Sequence, residues 1–331
     1  MRHRCIASAG PGLLVVALTL LFPVAGQAQA AAPKTARQSA VPRTADARPD
    51  LQGTWDFRTI TPLERPNALS GKQRLTDEEA ADLEEQAAHD RVDRRPAAGD
   101  PGTYNQFWFD RGTKVIGDKR TSLITDPPDG RIPSLTPEGQ KRRATGGRRD
   151  RPAGPEDRNV AERCILGFNA GPPMEPRAYA NIVQLFQTRD YVVLVNEMVH
   201  DARIIPLDGR SHGRLRQWRG DSRGRWDGDT LVVDTVNFHH STAFSERQGS
   251  TPALHLIERF RRVDADTLVY EFTVEDPATW TRPWTAAIPM ARSDDKLYEY
   301  ACHEGNYAMP AMLAGARAEE AAENAKKARP K

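Results

Sequence analysis

Cysteine is scarce in this chain: Cys5, Cys164 and Cys302 are the three it has in 331 residues. That number excludes both a disulfide-dense scaffold and a four-cysteine zinc cage. A charge excess of one sign is also lacking. Lys and Arg number 47 and Asp and Glu 45, which argues against nucleic acid or an anionic membrane as the main partner, because both select a basic surplus. No apolar run approaches the roughly 20 residues that a membrane-spanning helix needs. No glycine-rich phosphate loop and no nucleophile elbow is present, so the sequence specifies no cofactor.

What is there begins with a targeting signal. Arg2 and Arg4 precede the uncharged stretch Leu13 to Phe22, and Pro23 and Gly26 break the run before Ala28-Gln29-Ala30. This is the order of a secretory signal peptide over residues 1–30, with its small-x-small cleavage site. Cys5 lies before the apolar run, so no lipid-anchor cysteine follows it. The predicted location is periplasmic or secreted. Loss of Arg2 and Arg4 leaves 45 basic and 45 acidic residues in the mature chain. Cys164 and Cys302 are then expected to form one disulfide in an oxidising compartment, with a pair of buried thiols as the alternative.

Residues 31–49 lack apolar periodicity and read as a flexible leader. The span 50–318 reads as a single β-rich domain, and 319–331 as a helical or frayed tail. Thr76-Asp77-Glu78-Glu79 is a capping box before an Ala- and Glu-rich helix to about Arg91. A second short helix starts at Thr136, with Pro137 in its first turn. The stretch 141–155 is a solvated polar loop. From Asn181 onward, β-prone runs follow one another: Ile182 to Gln187, Tyr191 to Ile205, Thr230 to Phe238, Leu254 to Val263 and Thr267 to Glu275. Asp264-Ala265-Asp266 joins the last two as a hairpin. In its second strand Leu268, Tyr270, Phe272 and Val274 share one face, so that face is buried and the other wet. An Ala-, Glu- and Lys-rich helix runs from about Ala308 to Lys327.

Gly53-Thr54-Trp55 resembles the Gly-x-Trp first-strand signature of lipocalins, and Thr188-Arg189-Asp190-Tyr191 resembles their second motif. The resemblance implies a calycin-like antiparallel barrel, from which the chain departs in its length and in the long polar segment between residues 60 and 180. Other stretches resemble a large family of uncharacterised exported bacterial proteins: Glu162-Arg163-Cys164, Gly220-Asp221-Ser222-Arg223-Gly224, Trp226-Asp227-Gly228-Asp229-Thr230-Leu231-Val232-Val233 and Cys302-His303-Glu304-Gly305-Asn306-Tyr307. That resemblance covers about residues 50–318 and carries no activity with it. The fold class expected is mainly β, a barrel-like antiparallel sheet with short N-terminal helices and a C-terminal helix.

Candidate chemistry lies where polar groups interrupt apolar strands. Glu197, His200 and Arg203 do so between Tyr191 and Ile205, and Glu and His together with Arg supply general acid–base chemistry. Asp234 and Glu258 each share a strand face with apolar neighbours, where a carboxylate must find a partner or change its pKa. Residues 210–226 hold six arginines and two tryptophans, a set suited to an anionic or sugar-like ligand. Arg210, His212, Trp218, Arg225 and Trp226 are the ligand-binding candidates there, with His303 from the C-terminal segment. For metal, His239-His240, His303-Glu304 and Glu197-x-x-His200 are the dense candidates, but adjacent strand residues point oppositely and none is a ready chelate.

The function expected is binding of a small organic or sugar-like molecule in a barrel pocket. A hydrolase or lyase built on Glu/His chemistry with arginine stabilisation is the alternative, and a structural envelope protein is a third. No nucleic acid and no membrane span is expected, and the sequence leaves the oligomeric state open. The signal-peptide assignment is directly testable. Intact-mass analysis of the exported protein should give Ala31 as its first residue, and a mass that still includes Cys5 would refute the cleavage site.

Overall fold

The computed structural model describes residues 40–92, 106–145, 152–240, 243–244, 248–249 and 251–328. The expected signal peptide over residues 1–30, residues 31–39 of the expected leader and residues 146–151 of the expected polar loop lie outside them. Ser39 to Lys331 forms one compact unit.

The strands are β1 (Gly53–Asp56), β2 (Ile124–Asp126), β3 (Ile182–Gln187), β4 (Tyr191–Asn196), β5 (Asp201–Pro206), β6 (Asp221–Asp227) and β7 (Thr230–Val236). After the short β8 (Ala243–Phe244) and β9 (Gln248–Gly249) come β10 (His255–Arg262), β11 (Thr267–Glu275) and β12 (Trp284–Ser293). Ten of them make one antiparallel sheet in the order β5-β4-β3-β1-β12-β11-β10-β7-β6, with β2 also on β12. The sheet is not closed. Its edge strands β5 and β6 run close to one another, yet no ladder joins them. A Cβ on Gly224 of β6 would collide with Leu207 and Ile205, so glycine is what permits that approach. A fully closed barrel is therefore not what forms.

Alternation explains the layers. β11 buries Leu268, Tyr270, Phe272 and Val274 and leaves the intervening residues half-exposed. Trp55, Phe260, Trp284 and Leu185 join them on the concave side, each fully buried. Ring centroids run 4.9 Å from Phe260 to Tyr270, 5.7 Å on to Phe272 and 5.7 Å on to Trp284. Each such side chain contributes roughly 1.5–3 kcal/mol by leaving water. The concave side is thus a packed core, and the clefts described below open at its margins. Arg262 fastens β1 to it: its guanidinium lies 5.2 Å from the Trp55 ring centroid and donates to the carbonyls of Asp50, Asp264 and Ala265.

Among the described residues there are three α-helices. α1 (Asp77–His89) starts on the predicted capping box: Thr76 Oγ1 accepts from Glu79 N–H at 3.2 Å, and Glu79 accepts from Thr76 N–H at 2.9 Å. α2 (Pro137–Thr145) begins with its proline as expected, but it extends through residues 141–145, which the sequence assigned to the polar loop. α3 (Ala308–Lys327) ends the described chain. Among the described residues no helix is long and apolar enough to cross a membrane.

Further differences from the sequence expectations have physical causes. The run Tyr191 to Ile205 is two strands. A tight turn over Met198–His200, with Val199 and His200 at φ 52° and 51°, reverses the chain so that Asn196 pairs with Asp201. Residues 40–49 of the presumed leader are held to the sheet, because Arg43 donates to both carboxylate oxygens of Asp229 at 3.0 and 2.6 Å. The disulfide Cys164–Cys302 forms, with Cα atoms 5.7 Å apart, and closes a loop for which chain entropy alone gives roughly 4–5 kcal/mol.

One polar cluster sits within the core. Glu258 on β10 is fully buried and accepts from Arg203 of β5 at 2.7 and 2.9 Å and from the Tyr270 hydroxyl at 2.8 Å. Tyr270 in turn accepts from Met174 N–H at 3.1 Å. Burial, with the Glu258 charge beside it, pushes the Tyr270 phenol well above its ordinary pKa. Removing one partner strands a buried charge. Glu258→Ala should therefore lower unfolding free energy by about 3–5 kcal/mol, whereas replacing Arg203 and Glu258 together by Met and Leu should recover most of it. Urea denaturation checks both, and a mild single-variant effect would contradict the buried-pair assignment.

Candidate functional site

Between the unpaired edges of β5 and β6 lies a cleft of about 620 Å³. Strand alternation turns Ala202 and Ile204 of β5 outward, and Ile204 is 64% exposed there. Pro206 ends the same edge, where a missing N–H costs no ladder bond. Opposite lie Ile165 and Leu166 from the segment before β3, and residues 216–223 leading into and along β6. The floor is apolar; the rim is arginine.

Arg219 crosses the gap. It donates to the Ala202 carbonyl at 2.7 Å and pairs with the buried Asp201 carboxylate. Arg216 donates to the Phe238 carbonyl at 3.3 Å. Arg223 pairs with Asp221 and donates to the Ser222 carbonyl at 2.7 Å. Trp218 stands over this rim, its ring centroid 4.2 Å from His239, and His239 lies 4.2 Å from His240. Loss of solvation, with the positive charges of His240, Arg163 and Arg216 adding to it, holds the His239 imidazole below its usual range.

A second polar array adjoins the cleft through Asp221, which lines it. Asp221 Oδ2 accepts from Gly213 N–H at 2.6 Å and lies 3.4 Å from His212 Nδ1. His212 Nε2 is 2.8 Å from Asp234 Oδ1, and the other oxygen of Asp234 is 2.6 Å from His255 Nε2. His255 Nδ1 completes the chain with Glu275 at 3.0 Å. Register explains the geometry: His255 stands directly opposite Glu275 and diagonal to Asp234, within reach on one face. Partial burial disfavours the His255 imidazolium, but the hydrogen bonds and charges of Asp234 and Glu275 outweigh it and raise the pKa. Burial likewise opposes the Asp234 carboxylate, and the bonds from His255 and His212 overcome it and lower the pKa.

The residues singled out in the sequence do not meet in one pocket. Arg203 and Glu258 are brought together within the core, and Arg203 also lines the edge cleft. Asp234 and His212 are brought together on the convex side, where Asp234 is half-exposed rather than on an apolar face. Glu197 lies elsewhere, half-buried, its pKa raised by burial and by Asp110, with Asp295 adding to it against Arg58. His200 Nε2 accepts from Tyr300 N–H at 3.0 Å. The tight turn at Met198–His200 lies between Glu197 and Arg203 and includes His200 itself. Arg210 pairs with Asp208 across a surface turn and pulls that carboxyl down to about 2. Arg225 is exposed on β6, and His303 is exposed beside the disulfide. Trp226 lines a separate cleft under the Arg48 guanidinium, 5.7 Å from its ring centroid. Of the ligand-binding candidates, Trp218 is the one that lines the edge cleft.

Arg216, Arg219, Arg223, Asp221, His255 and Glu275 were not singled out. The His255–Glu275 pair carried a usable signal, since a hairpin turning at Asp264–Asp266 sets them opposite each other. Among the described residues no group of three or more His, Cys, Asp or Glu is placed to hold a metal ion. No protein-family model matches the chain, and a search of curated proteins finds no match to it.

The His255 array predicts a pH dependence. A raised histidine pKa stabilises the fold fully below the unfolded value of about 6.5 and loses that contribution as pH rises through the folded value. The lowered Asp234 pKa adds stability above about 3.9 and loses it as pH falls through the folded value. His255→Ala should therefore lower the thermal midpoint most between roughly pH 4 and 6.5. The gap to wild type should narrow at alkaline pH, and a gap that is constant with pH would remove the imidazolium from the account.

Proposed function

We propose that the protein is exported and binds a small amphipathic organic anion in the cleft outside β5. The observation that carries this reading is the meeting of an apolar floor, Ile204 with Pro206, Ile165 and Leu166, with the arginine rim at Arg216, Arg219 and Arg223. Its volume falls within the range of about 300–1,000 Å³ usual for small-ligand sites. Guanidinium groups hold a carboxylate in two-pronged fashion, and the Trp218 indole offers a flat face to an apolar body. The near approach of β5 and β6 supports a barrel-like, calycin-like reading of the sheet. The N-terminal signal and the disulfide support export, as does the resemblance to exported bacterial proteins.

The Asp234–His212 pair beside the cleft favours a second reading, in which a bound ester or acid meets general-base chemistry; Asp234 holds His212 in place as carboxylates do in catalytic pairs.

Isothermal titration of the mature protein against aromatic and aliphatic carboxylates tests the first reading. Saturable binding is expected, with Trp218→Ala and Arg216→Ala each weakening it at least about tenfold and leaving the thermal midpoint nearly unchanged. Chromatography of the same mixtures would reveal turnover, lost in His212→Ala, if the second holds. Absence of saturable binding across the panel, or binding indifferent to both cleft variants, would overturn the anion reading.

A further inference from the structure

A second cleft, about 650 Å³, lies between the Thr59–Leu63 segment and the loop from Phe168 to Tyr179, and shares no lining residue with the edge cleft. We propose that it binds a monosaccharide-sized ring that carries a carboxylate.

Its polar wall is Glu175 and Arg177. Glu175 is 5% exposed and accepts from Arg177 Nη2 at 3.0 Å, so carboxylate acceptors and guanidinium donors stand side by side. Hydroxyl groups on adjacent ring carbons each donate and accept once or more, and such a pair meets both needs together. Its apolar wall is aromatic. Tyr179 meets Phe168 edge-on at 5.2 Å and stacks with Tyr300 at 6.1 Å, which presents ring surface to the C–H side of a sugar and a hydroxyl to its rim. Arg111 lies at the mouth, its guanidinium 4.8 Å from the Phe109 ring centroid. Glu175 and Arg177 offset one another, so among the described lining residues Arg111 leaves one positive charge in excess. A single ligand carboxylate balances it.

The loop is built in advance of any ligand. Asn169 Nδ2 donates to the carbonyls of Tyr179 and Ala180, both at 2.9 Å. Asn181 donates to the carbonyls of Arg177 and Asp110 and accepts from Arg177 N–H at 2.8 Å. Tyr270 holds Met174 N–H from within the core. Two buried asparagines and a core tyrosine thus hold a segment without regular structure in one shape, and prior ordering of this kind lowers the entropic cost of binding.

Titration calorimetry of the mature protein with glucuronate, glucose and benzoate tests the proposal. In the Trp218→Ala protein, whose edge cleft is weakened, glucuronate should bind saturably, with glucose and benzoate each at least about tenfold weaker, because one lacks the charge and the other the hydroxyls. Glu175→Gln should weaken glucuronate by a similar factor. Ala178→Trp, which fills the cleft from a half-exposed wall and leaves the Glu175–Arg177 pair intact, should abolish binding and serves if the first variant fails to fold. Trp218→Ala, in the edge cleft, should leave glucuronate affinity unchanged. The proposal is overturned if millimolar glucuronate gives no saturable heat, if benzoate binds the Trp218→Ala protein as tightly as glucuronate does, or if Trp218→Ala abolishes glucuronate binding while Ala178→Trp does not.

Discussion

The ion pair between Arg203 and Glu258 is the constraint on which most of this architecture depends. Arg203 belongs to β5, the outermost strand at one edge, whereas Glu258 belongs to β10, near the other. A bidentate bond between them crosses the concave side and holds the sheet curled. Two desolvated charges cost several kcal/mol each unless fully bonded, and here the Tyr270 hydroxyl completes the set on Glu258. The curl is therefore specified in geometry as well as favoured by burial: the edge of β5 must come to lie near β6, whether or not a ladder can form.

Both clefts follow from that curl. At one end of the β5–β6 seam, Gly224 admits Ile205 and Leu207 and the edges meet. Toward Ala202 and Gly220, Arg219 spans the opening and donates to a strand-edge carbonyl. An unpaired edge is usually a hazard for aggregation; here an arginine, a proline and an overlying loop cover it, and the cover forms the edge cleft. The second cleft depends on the same cluster by another route, because Tyr270 accepts from Met174 and so fixes the loop that carries Glu175 to Tyr179. The proposed anion site and the proposed sugar-acid site both set arginine against an apolar or aromatic wall.

The convex array of Asp221, His212, Asp234, His255 and Glu275 is independent of the core pair. It rests on register, which places alternate residues of β6, β7, β10 and β11 on one outer face, and on the loop after β5, which carries His212 to Asp234. Of the array, Asp221 alone also lines the edge cleft, so one carboxylate joins the two.

Local features were legible in the sequence wherever the cause was local. The capping box at Thr76 starts α1, the alternation from Leu268 to Val274 buries one face of β11, and Asp264-Ala265-Asp266 turns its hairpin, because each depends on residues a few positions apart. The hairpin turn also determines that His255 faces Glu275. Val199 and His200 defeated the strand reading of Tyr191 to Ile205, since a reversal at positive φ in residues other than glycine leaves no compositional mark. Tertiary structure alone decided that Arg203 meets Glu258 rather than Glu197, that Trp218 faces a cleft while Trp226 faces another, and that His212 reaches Asp234. Those pairings join residues 22 to 55 positions apart, and periodicity along one strand says which face a side chain occupies but not which distant strand lies beside it.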